Sequence, residues 1–219
     1  MSNYASVKEN LKIKIHMEKA REYLDTRGTI AHGINHAENV AENSRHILIK
    51  LGYGEKEAEL AQVAGYLHDI GNLFNRYDHG RSGSLLSYQI LKELEFDIDS
   101  IAIVLGAIGN HEETTGHSVN AVAAAVIIAD KCDVHRDRVR KKDQSQFTPR
   151  DRVNYAVDNV QLLVNGEKRV ITLHIEIDTE KASVMEYFEI FLTKMLMCKR
   201  AADFLDAEFR LIVNNTSLL

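Results

Sequence analysis

Over residues 6–133 the apolar positions recur at helical spacing, and from about residue 160 they alternate one by one. The first helical run covers residues 6–27, with Gly28 as its C-terminal cap and a short loop through Gly33. A second helix is predicted over 36–51, where Gly52 stops it, and a third over 55–70, ending at Gly71. After the polar loop NLFNRYDHG, a fourth runs over 81–94, a fifth over 98–108 and a sixth over 119–133.

The pattern changes near residue 145. Thr148 is a helix N-cap, with Pro149 at the first helical position and Asp151 two residues later. Val170, Thr172, His174 and Glu176 then alternate with Ile171, Leu173, Ile175 and Ile177, which predicts a strand with one buried face. Asn165-Gly166 is a turn signal and implies a β-hairpin. A long amphipathic helix over 180–206 and a third strand, AEFRLIVN, complete the chain. The expected fold is mainly α: a helical body over residues 1–145 and a small C-terminal α+β (β-β-α-β) appendage over 146–219. The appendage's long helix could support a homodimer, and plain packing against the body accounts for it equally well.

Composition narrows the class. A chain of 219 residues, 45% hydrophobic, fits one large domain or a main domain with an appendage. The net charge of -5 argues against a general attraction to nucleic acid polymers. Two cysteines, Cys132 and Cys198, suggest no disulfide framework and fit a reducing compartment. The N-terminus lacks the apolar core of a signal peptide, and no apolar run is long enough to span a bilayer. A cytoplasmic protein without a membrane partner is expected. The single proline suits long helices.

Ten histidines call for a more specific reading. His36 lies one turn before Val40, on the face marked by Val40, Ser44, Ile47 and Leu51. Ala61, Ala64 and Gly65 lead at helical spacing to His68, with Asp69 beside it. His79 lies four residues before Gly83, which opens the stripe Gly83, Leu86, Ile90 and Leu94. Ile101, Val104, Leu105 and Ile108 lead to His111, and Val119, Val122, Ala123, Val126 and Ile127 lead to Asp130. A carboxylate that continues an apolar stripe faces the core, where an unpaired charge costs several kcal/mol. Any one histidine here reads more simply as a helix cap or a hydrogen-bonded core residue. Successive helices that all turn His or Asp inward read as a metal site, because imidazoles and carboxylates together replace a metal's water shell. His16, His46, His117, His135 and His174 read as solvated, and His32 is intermediate, four residues before His36.

The ordered set His36, His68-Asp69 in YLHDIGN and Asp130 in IIADKCD resembles the HD-domain superfamily of metal-dependent phosphohydrolases. His79 in YDHGRSG and His111 in GNHEETTG are similar to the two extra histidines of its dinuclear members. The resemblance covers residues 30–140 and implies an HD-domain helical bundle with metals inside it. It implies that His36, His68, Asp69 and Asp130 hold one ion, that His79 and His111 hold a second, and that Asp69 bridges the two. A bridging water would then attack phosphorus, with His68 and Asp69 as the catalytic pair. Iron, manganese or zinc suits such a donor set better than magnesium. Asn72 stands where many members have lysine, and can hydrogen-bond a phosphate oxygen without contributing charge. The Gly-Tyr-Pro signature of the cyclic-di-GMP phosphodiesterase branch is absent after His111.

Arg81, Lys131, Arg136 and Arg138 are candidate phosphate contacts beside Asn72, although a solvated helix face with Asp133, Asp137 and Asp143 explains the two later arginines as well. Glu112 and Glu113 either orient a ligand or shuttle a proton, although carboxylates in an exposed loop are the more common case. The expected function is phosphomonoester or phosphodiester hydrolysis of a nucleotide or other small phosphorylated substrate. Two alternatives remain open: a di-iron oxygenase on the same ligand set, and a regulatory module that binds a nucleotide without turnover.

Overall fold

Asn10 divides the first predicted helix in two. Its side chain accepts from the Ile13 amide and starts a new helix, giving α1 (Tyr4–Lys8) and α2 (Leu11–Asp25). The structure is a computed structural model that describes residues 3–26 and 33–218. The predicted cap Gly28 and the intermediate His32 lie outside the described residues.

The bundle continues with α3 (Ile34–Lys50), α4 (Glu55–Leu67), α5 (His79–Glu93), α6 (Ile98–Gly109) and α7 (Ala121–Lys131). Two boundaries differ from the sequence expectation in ways that shape the site. Helix α4 ends just before His68-Asp69, and the chain tightens into a 3-10 turn, Ile70–Leu73. Helix α5 begins two residues early, at His79, directly after Asp78 in a left-handed conformation (φ 57°). Gly71 permits this junction: a Cβ there would lie 1.9 Å from the His79 carbonyl oxygen and 2.5 Å from the Gly83 nitrogen.

Helix α7 is the centre of the molecule. Asn120 caps it by accepting from the Ala123 amide, and every residue from Val122 to Lys131 is buried. A helix apolar on all sides requires neighbours all round. Here they are α3, α4 and α6, together with α9 (Val184–Phe204) from the C-terminal region.

That region starts with α8 (Pro149–Ala156), whose capping box pairs Thr148 with Asp151 as the sequence indicates. It leads into β1 (Val157–Asn165), which pairs antiparallel with β2 (Val170–Ile177) around Asn165↔Val170. Helix α9 carries the chain back to β3 (Glu208–Val213), parallel to β2 with Ile171 opposite Phe209. A short β4 (Thr216–Ser217), not anticipated from the sequence, completes the order β1-β2-β3-β4. The first strand begins at Val157, so the described residues before it are helical or loop. Helix α9 buries Tyr187, Phe191, Met195, Cys198 and Ala202 and packs against α7 and α8. Among the described residues no helix is long and apolar enough to cross a membrane.

Candidate metal centre

Five elements deliver six side chains to one place. His36 is in the first turn of α3, His68 and Asp69 follow α4, His79 opens α5, His111 follows α6, and Asp130 is in the last turn of α7. All four histidines and Asp130 are buried. The ligand atoms of His36, His68 and Asp130 lie within 4.8 Å of one another, as do those of His68, Asp69 and His111.

Asp69 stands between two pairs of imidazoles. Its Oδ2 is 3.5 Å from His68 Nε2 and 3.9 Å from His36 Nε2. Its Oδ1 is 3.0 Å from His79 Nε2 and 3.9 Å from His111 Nε2. Asp130 Oδ1 faces the first pair, 3.4 Å from His36 Nε2 and 3.7 Å from His68 Nε2. His79 Nε2 and His111 Nε2 are 3.0 Å apart.

Every ring presents Nε2 to the centre because its Nδ1 is engaged outside. His36 Nδ1 meets Asp133 Oδ2 at 2.5 Å. His68 Nδ1 donates to the Gly65 carbonyl and His111 Nδ1 to the Ile108 carbonyl, each at 2.7 Å. His79 Nδ1 lies 3.0 Å from the Arg76 carbonyl oxygen and 3.1 Å from Glu112 Oε1. Outer partners of this kind fix ring orientation and tautomer in metal sites. His68 Nε2 is buried and has no hydrogen-bond partner among the described residues, a cost that coordination would remove. The residues therefore fit a divalent metal ion, by donor chemistry and by orientation.

The electrostatics differ among the ligands: burial opposes charge on His79, but Asp69 and Glu112 bring its pKa up to about 9. Burial alone would raise the Asp130 carboxyl, but Lys131 and the imidazoles of His36 and His68 hold it well below the usual range. Burial likewise opposes charge on Glu112, yet His79 and the Gly80 amide bring its pKa down to about 2. Burial, with His68 and Lys131 nearby, pushes His111 down to about 3 and so keeps it neutral and ready to donate a lone pair.

The proposed substrate contacts are distributed unevenly. Lys131 is buried, its ammonium 2.6 Å from Asp130 Oδ2. Asn72 is buried and donates to Asp69 Oδ1 at 2.8 Å, so it steadies the carboxylate. Arg138 is buried and donates to the Asp133 carbonyl at 2.7 Å, fixing the residue that fixes His36. Arg136 instead reaches the Tyr155 carbonyl and Asp158, while Arg81 is 76% exposed beside Asp78. Neither makes a contact with the cluster among the described residues. His46 and His117 are exposed, and His16, His135 and His174 are half-buried, with His135 Nε2 3.5 Å from Asp133 Oδ1.

Several neighbours escaped the sequence reading. Arg76 Nη1 lies 2.9 Å from His79 Nε2 and 3.9 Å from Asp69 Oδ1, and nothing in the loop sequence marks it. Lys194 on α9 reaches Glu113 Oε1 at 3.5 Å. Its signal was present: it lies seven residues after Tyr187 and three after Phe191, a charge on the buried stripe of an amphipathic helix.

Comparison with known proteins places this geometry. The crystal structure of a predicted HD superfamily hydrolase from an uncultured Thermotogales bacterium is similar, at 28% identity over 57% of this chain and 67% of that one, with a TM-score of 0.45. No curated protein matches. The family model described as HD domain matches residues 33–161, from the start of α3 into β1 and across all six convergent residues. The chain belongs to the HD domain family.

Proposed function

We propose that this protein is a metal-dependent hydrolase of phosphate esters, acting on a nucleotide or another small phosphorylated molecule. One observation carries the reading: four imidazole Nε2 atoms and the carboxylates of Asp69 and Asp130 converge in a buried centre, with each Nδ1 held from outside. When bound, divalent transition metals lower the pKa of water toward neutrality and offset negative charge on a phosphoryl group. In this reading Asp69 would be shared between two ions, because each of its oxygens faces a different histidine pair. His36, His68 and Asp130 complete one site, and His79 and His111 the other. Asn72 and Glu112 hold Asp69 and His79 in position.

The chain's own nucleophiles are poorly placed to compete with water. Cys132 and Cys198 are buried, with sulfurs 3.9 Å apart, and burial pushes the Cys132 thiol far up. The cations at the centre's edge, Lys131 and Arg76, suit an anionic substrate.

The test joins metal analysis of the purified protein with a phosphate-release screen over nucleotides and sugar phosphates. Phosphate release that depends on bound iron, manganese or zinc is expected. Metal-replete protein that releases no phosphate but consumes oxygen with a candidate substrate would overturn the reading in favour of an oxygenase.

A further inference from the structure

Strand β1 lies at the edge of the sheet and pairs with β2 alone. Among the described residues, the backbone of Asn159–Val164 makes no hydrogen bond outside that ladder. Its outer side therefore presents a row of amides and carbonyls that can template a further strand. Proteins commonly blunt such an edge with lysine, proline, a bulge or a covering element. Here the irregularity is confined to Val157/Asn159, and the strand's one charge, Asp158, pairs with Arg136. From Asn159 to Asn165 the strand reads NVQLLVN, with no charge, proline or bulge. It is not covered either. Ile171, Leu173 and Ile175 of β2 are fully buried, whereas their partners Val164, Leu162 and Val160 on β1 stay half-buried. The apolar face of the sheet thus lacks a neighbour at this edge. The opposite edge, β4, is only two residues long.

The exposed stretch is complementary to itself. In an antiparallel pair centred on Leu162, Asn159 stands opposite Asn165 of the second copy, Val160 opposite Val164, and Leu162 opposite Leu162. Each of the three half-buried apolar side chains then meets an apolar one on the core-facing side. On the other face, Gln161 meets Leu163, which is 52% exposed. Directly opposed residues have Cβ atoms about 4.5–5.5 Å apart, close enough for these pairs to pack. A two-fold pair of this kind repeats every contact, residue i on j and j on i. The register is specified. A one-residue slip would join the core-facing side of one strand to the solvent side of the other. A two-residue shift either way would set Asp158 against Val164, or Val160 against Gly166.

We propose that the β1 edge binds a second copy of this chain, with the two β1 strands antiparallel about Leu162 and the two sheets joined into one. The occupant is a second copy and not an unrelated segment, because the edge's own sequence supplies the matching partner at every position. Closure is built in: pairing uses up the long edge of both copies, and β4 is too short to continue the sheet. The proposal is independent of the metal centre and of the reaction assigned to it.

The experiment is sedimentation equilibrium of the full chain over a concentration series, for wild type and two double variants. Gln161 and Leu163 are both exposed, so substitution there should leave the melting temperature of the protomer close to wild type. Wild type is expected to form a closed dimer. Gln161→Lys with Leu163→Lys places lysine opposite lysine twice across the two-fold and should weaken dimerisation by about tenfold or more. Gln161→Glu with Leu163→Lys places glutamate opposite lysine twice and should dimerise about as well as wild type. The two double variants differ only in the sign of one charge, so a difference between them reports this register and not general damage to the strand. A wild type that stays monomeric would overturn the proposal and leave the edge to a different partner. Open-ended association, a dilysine variant that dimerises as tightly as wild type, or equal failure of both double variants would each overturn it too.

Discussion

Asp133 Oδ2 lies 2.5 Å from His36 Nδ1, although the two residues are 97 positions apart in the chain. The contact turns His36 Nε2 toward Asp69 and Asp130, and Arg138 braces Asp133 from behind. Burial opposes charge on Asp133, but His36 and Arg138 bring its carboxyl down to about 2. Asp133→Asn should therefore weaken metal binding by about 10- to 100-fold, the range for loss of an outer-shell carboxylate. Competition with a chelator of known affinity measures it; an unchanged metal affinity would show that His36 needs no such orientation.

Asp69→Ala should be the most damaging single change. It removes a carboxylate whose two oxygens face separate histidine pairs. Bound metal and phosphate release should both be lost, with far-UV circular dichroism unchanged, because the side chain lies at the end of α4 and supports no helix interior. A variant that retains metal and activity would remove the bridging role.

Gly71→Ala should destabilise the protein. The new Cβ meets backbone atoms of His79 and Gly83, which cannot move without shifting α5. Overpacking against backbone costs about 3 kcal/mol, a fall of about 6–12 °C in melting temperature for a chain of this size. Since α5 opens with His79, occupancy of a second metal should fall as well. Calorimetric melting and metal analysis check both; a normal melting temperature would mean that the junction is plastic.

Asp151 gives a pH dependence. It is buried and closes the capping box of α8. Burial would raise its carboxyl, but hydrogen bonds from Lys141 and Thr148 lower it. A folded pKa below the unfolded value of about 3.9 contributes stability that is full above that value. The contribution is lost as pH falls through the folded pKa. Asp151→Asn should cost about 1 kcal/mol at neutral pH, and the gap to wild type should close below about pH 4. Denaturant melts across pH test this; a gap that persists in strong acid would assign the effect to packing instead of charge.

The local pattern of the chain determined the helical body, the cap at Thr148, the hairpin turn at Asn165-Gly166, and the inward positions of His36, His68, His111 and Asp130. Each of these follows from spacing within one element, and helical geometry fixes which residues share a face. The resemblance supplied the grouping into two ions with Asp69 between them; in the structure the ligand atoms of His36, His68 and Asp130 come together, as do those of His68, Asp69 and His111. Local pattern could not supply the break at Asn10, where a side-chain cap outcompetes one further helical turn, or the early start of α5, where Gly71 lets two backbones meet. Nor could it pair Asp133 with His36, or bring Lys194 to Glu113 across 81 residues. Those contacts join side chains from elements whose relative placement is set by packing around α7. Only the tertiary structure decided which charges support the centre and which remain at the surface.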